Sequence, residues 1–273
     1  MRSLLFACGI MYALTSVIFV VYIFVRSHWL SIVARALYIC MVAIHLIFMI
    51  LLVSETGTFP LASPGEFMNM MILVASLVML FFVFSPSTFV LAAFYLPVAT
   101  FVLNLGLCAR GLHTDAALHA YKYLFPLHTV SVTLGEAFFV IAAIISMVYL
   151  VHEGIIRRGD IYSPVAYLPP LAVLDRMLYL FLSLGFIALT IGMIFGGYWI
   201  ADLDISMVSI APRIASGAVM WFVFGLSLHQ RIAIGWRGRR IAIITLAGCI
   251  VMAALFIGSY MFFPQAHGTG LLE

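Results

Sequence analysis

Eight histidines in a chain where only 8% of the residues are charged and 66% are apolar call for an explanation, imidazole by imidazole. An ionisable side chain inside hydrocarbon costs enough to mark a functional candidate. His28, His113, His119 and His152 fall between the apolar runs, where water can solvate them. The other four lie at or within those runs: His128 opens the fifth, His267 follows the eighth, His45 is inside the second and His229 is near the end of the seventh. Two neutral imidazoles brought to a common point are what iron in a porphyrin, or a transition metal, requires. His128 and His267 are the pair that shares one membrane surface in the topology derived below. Glu136 is the one carboxylate well inside a run, and with His45 at the same depth it is expected to form a charge-assisted pair across two helices.

These side chains must be held by helices that cross a membrane. A crossing needs about 20 mostly apolar residues, and runs of that kind, parted by charges or Pro, Gly and Ser clusters, fall at about 4–25, 30–53, 67–85, 88–108, 128–151, 177–199, 210–230 and 241–263. A water-soluble domain is excluded, since about 25% charged residues is usual there. A transmembrane barrel is excluded too, because Phe138 to Val151 shows no alternation of polarity. The fold class expected is all-α: a polytopic integral membrane bundle of about eight transmembrane helices, forming one domain over residues 1–273 without internal repeats. At Ser85-Pro86-Ser87 the break carries no charge, and only the summed length of the flanking apolar stretch forces two crossings. Leu4 to Val25 is too long for a signal-peptide core and lacks a small-x-small cleavage site, so it is read as the first crossing.

Charge gives the sidedness. Thirteen Lys and Arg against ten Asp and Glu leave a net +3, which in such a chain reports orientation and predicts no nucleic-acid partner. Placing odd-numbered loops in the cytoplasm puts Arg26, Arg35, Arg157, Arg158, Arg176, Arg231, Arg237, Arg239 and Arg240 there, against Arg2, Arg110, Lys122 and Arg213 outside. Both termini are then external (periplasmic), as are the 109–127 and 200–209 loops. Glu136 and His45 each lie about 12 Å below that surface at 1.5 Å per residue, whereas His229 lies near the opposite one. Cys8, Cys40, Cys108 and Cys249 sit in or beside apolar runs without CxxC spacing and read as buried thiols.

Several strings, in order from about residue 45 to the end, resemble the CcsA family of cytochrome c assembly proteins, which includes HemX-like members. Gly57-Thr58-Phe59-Pro60-Leu61-Ala62-Ser63-Pro64-Gly65-Glu66 is similar to that family's GxFPLSxxxE segment. Leu168-Pro169-Pro170-Leu171, Leu174-Asp175-Arg176 and Leu184 to Gly192 resemble LPxLxxLD and LGFxxLTxG. Trp221, His229 and Gly235-Trp236-Arg237-Gly238-Arg239-Arg240 resemble its W…LHxR…GWxGxxxA region. His128, with Gly135 seven residues on, and His267 fall where the family carries its two external histidines.

The resemblance implies a haem-handling protein of a bacterial inner membrane, with haem b held at the external face by His128 and His267. The vinyl and thiol chemistry would belong to the porphyrin and an apocytochrome c, so no catalytic residue is assigned. The implied partners are that apocytochrome and a membrane assembly subunit of the CcsB/ResB kind. One segment departs from the family pattern: where a tryptophan-rich WGxxWxWDPKE loop is expected, the chain reads Gly196 to Ser206 and then Ala211-Pro212-Arg213, keeping only Trp199 and Tyr198 as aromatics. Glu136 stands where relatives commonly have tyrosine. An alternative reading keeps the fold without haem, as a regulatory scaffold displaying Arg237, Arg239 and Arg240 to a cytoplasmic partner. A transporter built on Glu136 and His45 is disfavoured by the absence of an inverted repeat.

Overall fold

The computed structural model of the protein describes residues 2–57, 63–108, 124–159, 168–201 and 207–262. Within them the chain forms eight helices and no strand: α1 (Arg2–Val25), α2 (His28–Thr56), α3 (Pro64–Phe84), α4 (Leu91–Cys108), α5 (Leu124–Arg158), α6 (Leu171–Ala201), α7 (Met207–Ala233) and α8 (Arg239–Phe262). Six of them, α1, α2, α3, α5, α6 and α8, are long and apolar enough to cross a membrane. The apolar stretch of α4 is shorter, and α7 carries Pro212 and Arg213 in its first turns.

Local chemistry sets the boundaries. Gly57 stops α2 by turning left-handed at φ 64°, its N–H bonding the Val53 carbonyl at 2.9 Å. Ser63 starts α3 with a capping box: its hydroxyl accepts from the Glu66 N–H while the Glu66 carboxylate accepts from the Ser63 N–H, each at 3.2 Å. Gly57 and Glu66 bracket the GxFPLSxxxE-like segment, so the described part of that motif is a helix stop followed by a helix start. The Ser85-Pro86-Ser87 break is real, because α3 ends at Phe84 and α4 begins at Leu91.

Helix α5 outruns its apolar segment. With 35 residues, α5 spans about 52 Å, more than a hydrocarbon core requires. Glu153 and Arg157, expected in a loop, pair one turn apart at 2.8 Å and carry the helix onward to Arg158. His152 is corrected with them: it does not sit in a solvated loop but is buried in α5, 8% exposed, its Nδ1 2.9 Å from the Pro169 carbonyl oxygen.

The helices pack as two groups. In the first, α1 lies against α2 and α4, and α3 against α2 and α4. In the second, α5 and α6 pair along most of their length, α8 packs on α5, and α7 bridges α6 and α8. α3 and α4 meet the second group at α5. Outward faces are apolar, as Trp29, Phe81 and Phe101 illustrate at 75%, 77% and 68% exposure. In lipid such faces gain nothing by turning inward, so close packing and internal hydrogen bonds hold the helices together.

Candidate functional site

Glycines bring α5 and α6 into contact. A Cβ at Gly185 would lie 2.7 Å from the Phe139 ring, one at Gly192 would lie 2.7 Å from Val132, and one at Gly135 would lie 3.0 Å from the Leu189 backbone nitrogen. Because none of these carries a side chain, the two backbones come close enough for a side chain of one to reach a carbonyl of the other. His128 does so at the start of α5, its Nδ1 2.7 Å from the Gly192 oxygen. A carbonyl only accepts, so Nδ1 carries the proton and the lone pair is on Nε2. Metal-binding imidazoles in proteins are oriented in the same way, by donating the other ring N–H to a fixed acceptor.

The end of α6 completes the environment. Trp199, only 9% exposed, lies nearly parallel to the His128 ring with centroids 6.1 Å apart and planes 24° apart. Phe125 lies against the Trp199 ring, centroids 5.0 Å apart and planes tilted by 56°. The Trp199 Nε1–H is buried and has no hydrogen-bond partner among the described residues. An imidazole oriented by Gly192 fits a haem as a nitrogen donor, while Trp199, parallel to that imidazole, would border a porphyrin edge and would not lie flat against its face. Tyr198, the other aromatic expected there, is 66% exposed and makes no ring contact with His128. His267 and the segment at 202–206 lie outside the described residues.

Glu136 and His45 do not meet. His45 is fully buried among α1–α4, where its Nδ1 lies 3.0 Å from the Tyr12 hydroxyl. Donor counting sets every direction in this network. Tyr95 donates its only hydroxyl proton to the Ile72 carbonyl (3.1 Å), so Ser76 must donate to Tyr95 (2.7 Å) and Tyr12 to Ser76 (2.7 Å). His45 therefore donates through Nδ1 to Tyr12, and its Nε2 is a buried acceptor without a partner among the described residues. Tyr38 adds a bond to the Ser76 carbonyl at 3.0 Å. Glu136, 8% exposed in α5, is on the other side of the molecule's division, where the neighbouring Cys249 thiol of α8 donates to the Phe139 carbonyl at 3.3 Å. The expected pair fails because α2 packs on α1 and α3, not on α5.

A third locus gathers motif pieces that are far apart in sequence. Asp175 accepts from both terminal nitrogens of Arg231, at 2.9 and 2.7 Å, and from the Gly238 N–H at 2.9 Å. Arg231 also lies 4.8 Å over the Tyr179 ring. The LD, LHxR and GWxG strings thus form one clamp, joining α6 and α7 to the turn before α8. His229 is exposed. Trp221 is 40% exposed and donates through Nε1 to the Thr190 hydroxyl at 3.0 Å, a tie between α7 and α6.

Reasoning from the sequence missed Phe125, Gly192 and Gly196 as parts of the His128 environment. The signal was available: Gly192-Met193-Ile194-Phe195-Gly196 is a GxxxG helix-packing pattern.

Comparison with known proteins adds the following. The family model described as "Cytochrome C assembly protein" matches residues 2–263. Among curated proteins, the cytochrome c biogenesis protein CcsA of Synechococcus sp. (strain CC9902) is 34% identical over 97 residues, covering 36% of this chain and 32% of that protein. The CcsA protein of Nostoc punctiforme is 37% identical over 97 residues, 36% of this chain and 28% of its own. That of Rippkaea orientalis is 33% identical over 128 residues, 44% and 38% respectively. The matched stretch therefore spans only about a third of each relative.

Proposed function

The chain belongs to the cytochrome c assembly protein family, and from that membership we propose that it holds haem b at the His128 end of the bundle and presents it for attachment to apocytochrome c. The observation that carries this reading is the His128 imidazole, fixed by its bond to Gly192 and faced by Trp199. Haem, when bound, supplies the vinyl groups that apocytochrome thiols attack. The residues of this chain bind and orient. His128 would supply a ring nitrogen to the iron, Trp199 and Phe125 would border the macrocycle as apolar neighbours, and the Trp199 indole N–H is the nearest side-chain donor to that edge. His267 would be the second nitrogen donor.

In this reading the His128 end faces outward, as arginine counting favours, and the membrane is a bacterial inner membrane. A membrane assembly subunit of the CcsB/ResB kind is the expected partner. The test is an absorption spectrum of the purified protein, oxidised and reduced, beside His128→Ala and His267→Ala. A Soret band with reduced α and β bands, lost in both variants, is the expected result. A wild type that stays colourless after haem is supplied overturns the reading in favour of a haem-free regulatory scaffold.

A further inference from the structure

At the opposite end of α5 from His128, a cleft of about 690 Å³ opens between the last turns of α5 and the start of α8, lined by Glu153, Arg157, Trp236, Arg237, Arg239 and Arg240 among others. Its floor is rigid. The Asp175 clamp holds Arg231 and the Gly238 N–H, and Gly238, at φ 64°, packs so closely that a Cβ would lie 2.5 Å from the Tyr149 hydroxyl. Charge on the rim is unbalanced. Glu153 serves two guanidiniums, Arg157 at 2.8 Å and Arg239 at 3.4 Å. Arg240 rests 5.4 Å over Trp236, and neither it nor Arg237 has a carboxylate within ion-pair distance among the described residues. Four guanidiniums face one carboxylate, so the cleft is built for an anion, and oxygen-rich phosphate matches the forked geometry of arginine.

Apolar side chains stand beside these charges. Ile234 lines the cleft and is 59% exposed, while Ile232 and Ile156, next in sequence to Arg231 and Arg157, are 69% and 57% exposed. A soluble phosphate would satisfy the arginines and leave the isoleucines uncovered. We propose that the cleft binds an anionic phospholipid, its phosphate among Arg237, Arg239 and Arg240 and its acyl chains along Ile232 and Ile234. An amphiphile of this kind covers both surfaces at the level where the helices leave the hydrocarbon.

The test uses the full chain in a neutral detergent, with phosphatidylglycerol and phosphatidylcholine of identical acyl chains, retained lipid being counted by native mass spectrometry. Phosphatidylglycerol should be retained over phosphatidylcholine. Arg237→Gln with Arg240→Gln should weaken that retention about tenfold or more, as loss of two charge-assisted contacts requires, and Arg237→Gln alone by a smaller factor. Arg158→Gln, at the same end but outside the cleft, should leave it unchanged. Equal retention of both lipids, or equal losses in the cleft and Arg158 variants, overturns the site as a specific one. Displacement of phosphatidylglycerol by millimolar inorganic phosphate overturns the lipid and assigns the cleft to a soluble phosphate. Arg237 and Arg240 are exposed, and matching thermal unfolding of the variants separates lost binding from lost fold.

Discussion

Gly196 and Gly197 are neighbours in α6 that should answer the same substitution with opposite signs. Alanine is favoured over glycine in a helix by about 0.8–1 kcal/mol. A Cβ at Gly197 meets no heavy atom within 4 Å, so Gly197→Ala should keep that gain. At Gly196 a Cβ would lie 2.6 Å from His128 Nδ1 and 2.8 Å from its Cε1. The imidazole cannot retreat without stretching its 2.7 Å bond to Gly192, because the same nitrogen makes both contacts. Overpacking costs about 1–3 kcal/mol and the lost bond about 0.5–1.5 kcal/mol. Set against the helical gain, Gly196→Ala should destabilise by about 0.5–3.5 kcal/mol. Denaturant titration in mixed micelles measures the difference, and haem titration followed at the Soret band reads its consequence: Gly197→Ala should bind as the wild type does, Gly196→Ala more weakly. Equal stability and equal haem affinity of the two variants would refute the packing of His128 described above.

Three further outcomes are expected. Ser63→Ala removes the hydroxyl of the α3 capping box and should cost about 1 kcal/mol in unfolding experiments. Asp175→Ala and Arg231→Met each break a pair whose side chains are only 17% and 10% exposed, and each should cost about 3 kcal/mol; the double variant should cost clearly less than the sum, and a cycle that closes additively would mean that the clamp is not formed. Glu136→Gln and His45→Ala, by contrast, should add within about 0.5 kcal/mol, since α2 packs on α1 and α3 and His45 bonds within that group; a larger coupling in the same denaturation assay would restore the pair expected from depth alone.

Much of the architecture was legible in the apolar runs, because a crossing has a fixed minimum length and charges collect at its ends. All eight helices fall where the runs fall, including the uncharged break at Ser85-Pro86-Ser87. The ends of α5 and α6 were not legible. Glu153, Arg157, Asp175 and Arg176 resemble loop charges until their partners are known, and the partner of Asp175 is 56 residues away in Arg231. Depth in the membrane is also a poor guide to contact: it placed His45 and Glu136 level, but which helices touch depends on side-chain packing that a one-dimensional profile does not hold. His128 stood out in the sequence as an imidazole at the start of an apolar run. Its orientation came from glycines on another helix, a feature visible in sequence only as GxxxG.

The division of polar groups between the two helix packs bears on how the chain is made. Tyr12, His45, Ser76 and Tyr95 bond to one another and to the Ile72 carbonyl within α1–α4, so the first half can leave the insertion machinery as a unit with little polar surface turned to lipid. Helix α5 has no such independence. It emerges carrying Glu136 and His128, and the acceptor that orients His128 lies in α6, still unsynthesised. Biosynthesis must therefore shelter α5, either in the insertion channel or against the finished first half, until α6 arrives.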